Sequence, residues 1–164
     1  MFIDTHTHFD IILQNNKISE NIILNTMKEN SIDHAVQVAI DADNLEWSYN
    51  FAKKNIQNGI YCTLGIHPNA RATDAELQKL FKTLEHVKKE NNLSLLFGVG
   101  ECGLDYYRMK QPETMQKNSF ITQIELSNDL NKPVIIHSRN AMKDTLTILK
   151  EIPPKMGIMH CFPG

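Results

Sequence analysis

What most constrains this chain is a rhythm. Short runs rich in Ile, Val and Leu alternate with longer segments whose apolar residues recur every three or four positions, and no Gly/Ser/Pro linker interrupts the alternation. The runs span residues 2–8, 35–40, 60–66, 93–101, 134–137 and 156–160. Near-continuous apolar strands separated by amphipathic helices suit a parallel sheet covered on both faces. The rhythm therefore predicts one α/β domain over residues 1–164, built from about six β/α units.

The segments between the runs carry helix signals. ThrAspAlaGlu at Thr73–Glu76 is a capping box, and it leads into a stripe of Leu77, Leu80, Phe81, Leu84 and Val87. Ser19 caps an earlier helix bearing Ile22, Ile23 and Met27, while Phe120, Ile124 and Leu130 mark another that ends before Pro133. Core packing explains these stripes, so none of them calls for a cofactor.

Composition excludes some functions. With a formal net charge of −2, any grip on nucleic acid has to come from a few local cations rather than a basic face. Cys62, Cys102 and Cys161 are an odd number without close pairing, which argues against a disulfide framework or a four-thiolate zinc site. The first residues lack the marks of a secretory leader, and no apolar run reaches the roughly eighteen residues of a membrane span. The expectation is a cytoplasmic protein with no membrane partner.

The informative residues sit where the runs end. In MFIDTHTHFD, strand alternation projects Asp4, His6 and His8 to one face and Thr5 and Thr7 to the other. A lone histidine on a strand is usually a satisfied polar residue, whereas two imidazoles aimed at one spot can grip one cation. The third run leads into GIHP with His67, the fourth into GEC with Glu101, the fifth into VIIH with His137 and the sixth into GIMH with His160. In a parallel sheet those ends all lie on one side, where α/β folds build their sites. His34, at the start of a strand, and His86, inside the capped helix, fall outside this pattern and read as structural.

Four imidazoles and one carboxylate exceed what one open catalytic metal takes, but they divide between two cations with Glu101 as the candidate bridge. Gly98, Gly100 and Gly103 around Glu101 would let the backbone pass close to a metal or substrate. Arg108 and Arg139 follow two of the ligand-bearing ends by a few residues, so each suits either a substrate phosphate or a loop ion pair. Of Tyr106 and Tyr107, one could stack on a base and the other pack beneath the loop.

In order and spacing, the blocks FIDTHTHFD, GIHP, GECGLDYYR, QIELSNDLNKPVIIHSRNA and GIMHCFPG resemble the TatD-type metal-dependent deoxyribonucleases of the amidohydrolase superfamily, across the whole chain. The resemblance implies a TIM-type (β/α)8 barrel that cleaves phosphodiester bonds in DNA, trimming from the 3′ end through a hydroxide bridging two divalent metal ions. Magnesium, manganese and zinc are the candidate ions. Carried over by position, His6, His8 and Glu101 resemble the ligands of one metal, and His137 and His160 complete the other alongside Glu101. His67 would touch the substrate phosphate, with Arg108 and Arg139 as further substrate contacts, and Asp105 would support its loop.

Three departures accompany the likeness. Asn140 stands where an acidic residue is frequent after HSR, and Pro163 replaces the serine of HCFSG, removing a hydroxyl and a backbone N–H. A closed barrel seldom takes fewer than about 200 residues, so the chain is expected to hold about six of eight units and to be incomplete at its C-terminal side. The aspartate that the family places on the eighth strand as ligand and proton acceptor would lie beyond Gly164, which leaves the catalytic residue unassigned. Free strand edges would then invite self-association or a completing chain. Two other readings stay open: a related two-metal amide or ester hydrolase, and a non-catalytic metal-binding piece completed by another chain.

Overall fold

The computed structural model describes residues 1–162, so Pro163 and its replaced serine lie outside the described residues. Six parallel strands form one sheet in sequential order. They are β1 (Phe2–Thr7), β2 (Ile32–Val38), β3 (Ile60–Leu64), β4 (Leu96–Asp105), β5 (Val134–Arg139) and β6 (Gly157–Met159). The crossovers carry α1 (Phe9–Asn16) and α2 (Glu20–Glu29), α3 (Leu45–Asn55), α4 (Asp74–Lys89), α5 (Glu113–Leu130) and α6 (Met142–Glu151). A sequential parallel order with a helical crossover at each step is the winding of a (β/α) barrel.

The sheet is curled. Laid flat, six strands would hold their edges about 24 Å apart, five spacings of about 4.8 Å each. Instead His6, on β1, stacks on His160, just beyond β6, with ring centroids 3.7 Å apart. The two edge strands therefore converge at their carboxyl ends although they do not pair.

Alternation divides the strands between the helices and the concave interior. Ala35, Cys62, Leu64, Leu96 and Val99 pack into a core beneath α2, α3 and α4, while Cys102, Leu104, Val134 and Ile136 pack with Phe120 and Ile124 of α5 and Ile148 of α6. The capping box at Thr73 forms as the sequence predicts, and α4 buries Leu80, Leu84 and Val87.

Three local expectations need correction. A one-residue register shift between Asp4 and Thr7 breaks the alternation of β1, so Asp4 lines an apolar cavity under α1 and α2 together with Thr7 and Phe9 instead of joining His6 and His8. The fourth run starts later than expected and continues four residues past Glu101 to Asp105, paired to β5 through Cys102–Ile136, Gly103–His137, Leu104–Ser138 and Asp105–Arg139. Glu101 thus sits inside a strand rather than at its end. Finally, β2 begins at Ile32, because residues 32–34 extend its pairing to β1.

Glycine makes the extension of β4 possible. Gly100 and Gly103 adopt φ of 135° and 134°, a region side chains disfavour. A Cβ at Gly103 would lie 2.1 Å from the His137 carbonyl oxygen, and one at Gly100 would lie 2.5 Å from that of Ile135. Their bare backbones let β4 approach β5 closely on either side of Glu101.

Candidate metal centre

Glu101 projects into the concave face and is almost wholly buried. Imidazoles from three other elements surround its carboxylate. Oε2 lies 3.3 Å from His6 Nε2, and Oε1 lies 3.0 Å from His137 Nδ1 and 3.8 Å from His67 Nε2. Donor atoms of His6, Glu101 and His160 fall within 4.8 Å of one another, as do those of His67, Glu101 and His137. Burial alone would push the Glu101 carboxyl up, but hydrogen bonds from His137 and His6 outweigh it and hold the group well below the ordinary carboxylate range. The carboxylate is therefore available as an anion, with one oxygen turned to each imidazole group.

The hydrogen bonds of the rings sort what each can do. His8 Nδ1 lies 2.9 Å from the Val38 carbonyl, which can only accept, so Nδ1 carries the proton and Nε2 is left bare as a donor to a cation. His67 is the converse. Its Nδ1 accepts from the Asn69 backbone N–H at 3.0 Å, which puts the proton of the neutral ring on Nε2, the atom facing Glu101. Burial, the largest influence, lowers the His67 pKa to about 4, so the ring stays neutral at ordinary pH. Proximity groups His67 with possible ligands, but its tautomer makes it a hydrogen-bond donor to an anion.

Asp105 closes the other side. It is fully buried, with Oδ2 3.3 Å from His137 Nε2 and 2.7 Å from Asn69 Nδ2, while Oδ1 accepts the backbone N–H groups of Tyr107 and Arg108. One carboxylate thus fixes the His137 ring, the Asn69 amide and the turn after β4. Burial would raise its pKa, yet these donors and the His137 ring bring it below the usual value.

The loop residues separate. Arg108 lines the cavity of about 730 Å³ that opens over Glu101, His8 and His67. Arg139 is not among the residues lining it; its guanidinium lies over the exposed Tyr107 ring at 3.9 Å from the centroid. Tyr106 is the packed tyrosine, its hydroxyl donating to Asp144 at 2.9 Å.

Residues that carry no strand-end signal also position the site. Gln123 of α5, fully buried, accepts the Ile66 N–H at 2.9 Å and donates to the Ile66 carbonyl at 3.0 Å, clamping the chain one residue before His67. Gln116 makes the same two-way clamp on Asp105, and Gln37 holds the Phe9 N–H just after His8. The only sequence cue for Gln116 and Gln123 is that they fall on the same helical face as Phe120 and Ile124.

The model of the TatD-related DNase family matches residues 3–164. The chain belongs to the TatD-related DNase family. Among its relatives, an uncharacterized metal-dependent hydrolase of Buchnera aphidicola is 34% identical over 165 residues, covering 98% of this chain and 58% of the relative. The 3′-5′ ssDNA/RNA exonuclease TatD of Erwinia amylovora is 36% identical over 118 residues, 66% of this chain and 41% of its own. The crystal structure of the TatD homologue YjjV of Escherichia coli superposes with a TM-score of 0.79 at 28% identity, over 99% of this chain and 61% of that one. This chain therefore spans part of the length of the TatD proteins it matches, and its curled sheet corresponds to part of a TIM barrel. No described helix is long and apolar enough to cross a membrane.

Proposed function

We propose that the centre around Glu101 belongs to a two-metal phosphodiesterase acting on DNA from its 3′ end. The observation that carries this reading is the placement of Glu101, one buried carboxylate with each oxygen turned to a different imidazole group. That donor set, anionic oxygen and imidazole nitrogen, suits divalent manganese or zinc, and magnesium less well. On this reading His6, His8, His137 and His160 hold ions on the two sides of Glu101, consistent with the bare Nε2 of His8. Bound divalent ions would acidify a water molecule and neutralise phosphate charge. Neutral His67 donates its Nε2–H to a phosphate oxygen, and Arg108 reaches the same group from the rim. Asp105 keeps His137 oriented and the Arg108 turn in place. The likeness to the Erwinia exonuclease supports the choice of a nucleic acid.

The test is hydrolysis of 5′-labelled single-stranded DNA with manganese, zinc or magnesium, beside a panel of amide and carboxylic ester substrates. Stepwise loss of 3′ nucleotides, abolished by chelator and by Glu101→Gln, is the expected result. Turnover of the esters without DNA cleavage would replace the substrate class while keeping the metals.

One observation favours a second reading, in which catalysis needs another polypeptide. The chain spans 58% and 61% of two relatives, and among the described residues β1 and β6 each pair on one side only. Metal binding by calorimetry with no turnover until a second polypeptide is added would establish it; turnover by the isolated monomer would exclude it.

A further inference from the structure

The cavity above Glu101 has an outer wall whose cations are not equivalent. Arg71, Lys79, Arg108 and Lys110 all line it. Arg71 Nε lies 3.2 Å from Glu76 and Lys79 Nζ lies 2.8 Å from Asp43, so both already have a carboxylate. Asp41, also on the wall, spends Oδ1 on the N–H groups of Asp43 and Asn44. Among the described residues Arg108 and Lys110 make no ion pair, and both are exposed. Two uncompensated cations thus share one short loop at the mouth of the cavity.

That loop is pinned at both ends. Asp105 accepts the Arg108 N–H at 2.8 Å at the start. At the far end, buried Gln111 accepts the Ala72 N–H at 3.0 Å and donates to the Pro68 carbonyl at 3.3 Å. The backbone that presents Lys110 is therefore tied to the same β3–α4 connection that carries His67. Holding it in place in advance reduces the ordering cost when an anion binds.

The cavity volume falls within the range of about 300–1,000 Å³ typical of small-ligand pockets, so a strand longer than a few nucleotides must leave across its rim. We propose that Lys110 marks a second phosphate subsite, which takes the backbone phosphate one step along the strand from the bond at Glu101. The inference rests on the nuclease reading and deepens it: a chain carrying at least two phosphates engages Lys110, whereas a lone nucleotide ester fills only part of the site.

The test is binding of fluorescein-labelled octathymidylate, followed by polarisation across a potassium chloride series in EDTA, which prevents cleavage. Each phosphate contact to a single strand contributes about −0.7 to the slope of log affinity against log salt. Lys110→Ala is expected to make the slope shallower by about 0.7, Lys110→Glu to weaken low-salt affinity further, and Lys110→Arg to restore both. Lys88→Ala, on the exposed C-terminal turn of α4, serves as the charge-matched control and keeps the wild-type slope. Far-UV circular dichroism confirms that each variant is folded. A wild-type slope in Lys110→Ala, with DNA still degraded by the wild type, would overturn the subsite and leave the nuclease reading intact. Wild-type protein that cleaves p-nitrophenyl esters yet neither binds nor cuts the oligonucleotide would overturn both.

Discussion

His67 and His8 occupy similar places beside Glu101, yet their outer hydrogen bonds give them opposite tautomers. A backbone N–H forces the proton of His67 onto Nε2, and a backbone carbonyl forces that of His8 onto Nδ1. Nitrogen-15 NMR of the metal-free protein at neutral pH is expected to show those two tautomers; the reverse pattern would make His67 the ligand and His8 the donor. The low pKa of His67 also carries a sign. Burial drops the folded value to about 4 from 6.5, so between those pH values the unfolded chain binds a proton that the folded chain refuses. Stability therefore falls as pH drops through that window and levels off below it, by at most about 3 kcal/mol. Urea unfolding at pH 7 and at pH 4.5 is expected to show a smaller loss in His67→Gln than in the wild type. Glu76 shifts stability in the same direction for a different reason: its bond from the Thr73 hydroxyl comes first among the influences that depress its pKa, so its contribution is present above the ordinary carboxyl range and is lost as pH falls through the lower folded value.

Elements place these residues through contacts that apolar patterning does not encode. α5 is the clearest case, because Gln116, Ser119, Gln123 and Ser127 are as buried as Phe120 and Ile124. Its glutamines act as clamps on β3 and β4, each meeting a backbone N–H and C=O that the ends of those strands leave open. Replacing Gln123 by Leu strands the Ile66 amide, and a loss of about 1–3 kcal/mol is expected in urea melts. Because Ile66 precedes His67, the same variant is expected to broaden the His67 NMR signal, which a purely remote loss of stability would not do. β4 is the second case. Gly103→Ala puts a methyl carbon against the His137 carbonyl, and the strand has to shift away from β5. Glu101 and His137 then separate, so weaker zinc binding by calorimetry is expected even if the protein remains folded.

At the scale of the molecule, the carboxyl ends of the two edge strands converge, while among the described residues each of those strands pairs on one side only. Phe2, Ile3 and Ile158 on those strands are 67%, 53% and 42% exposed, which leaves apolar side chains at unpaired edges. Concentration-dependent association in sedimentation velocity is therefore expected, with Ile3→Lys reducing it; a strictly monomeric wild type would show the edges to be self-limiting. The alternation of strands and helices, the parallel topology and the gathering of His6, His8, His67, Glu101, His137 and His160 at one end were legible from residue order, because a parallel sheet sends every strand end to the same side. The tertiary structure alone decided that Asp4 turns away, that Glu101 lies within a strand and that Arg139 rests on Tyr107 rather than in the cavity. Each of these depends on register between strands or on a contact between separate loops. Periodicity along a single chain says which residues share a face. It does not say where one strand slips a residue against the next, and that slip sets the final geometry of the centre.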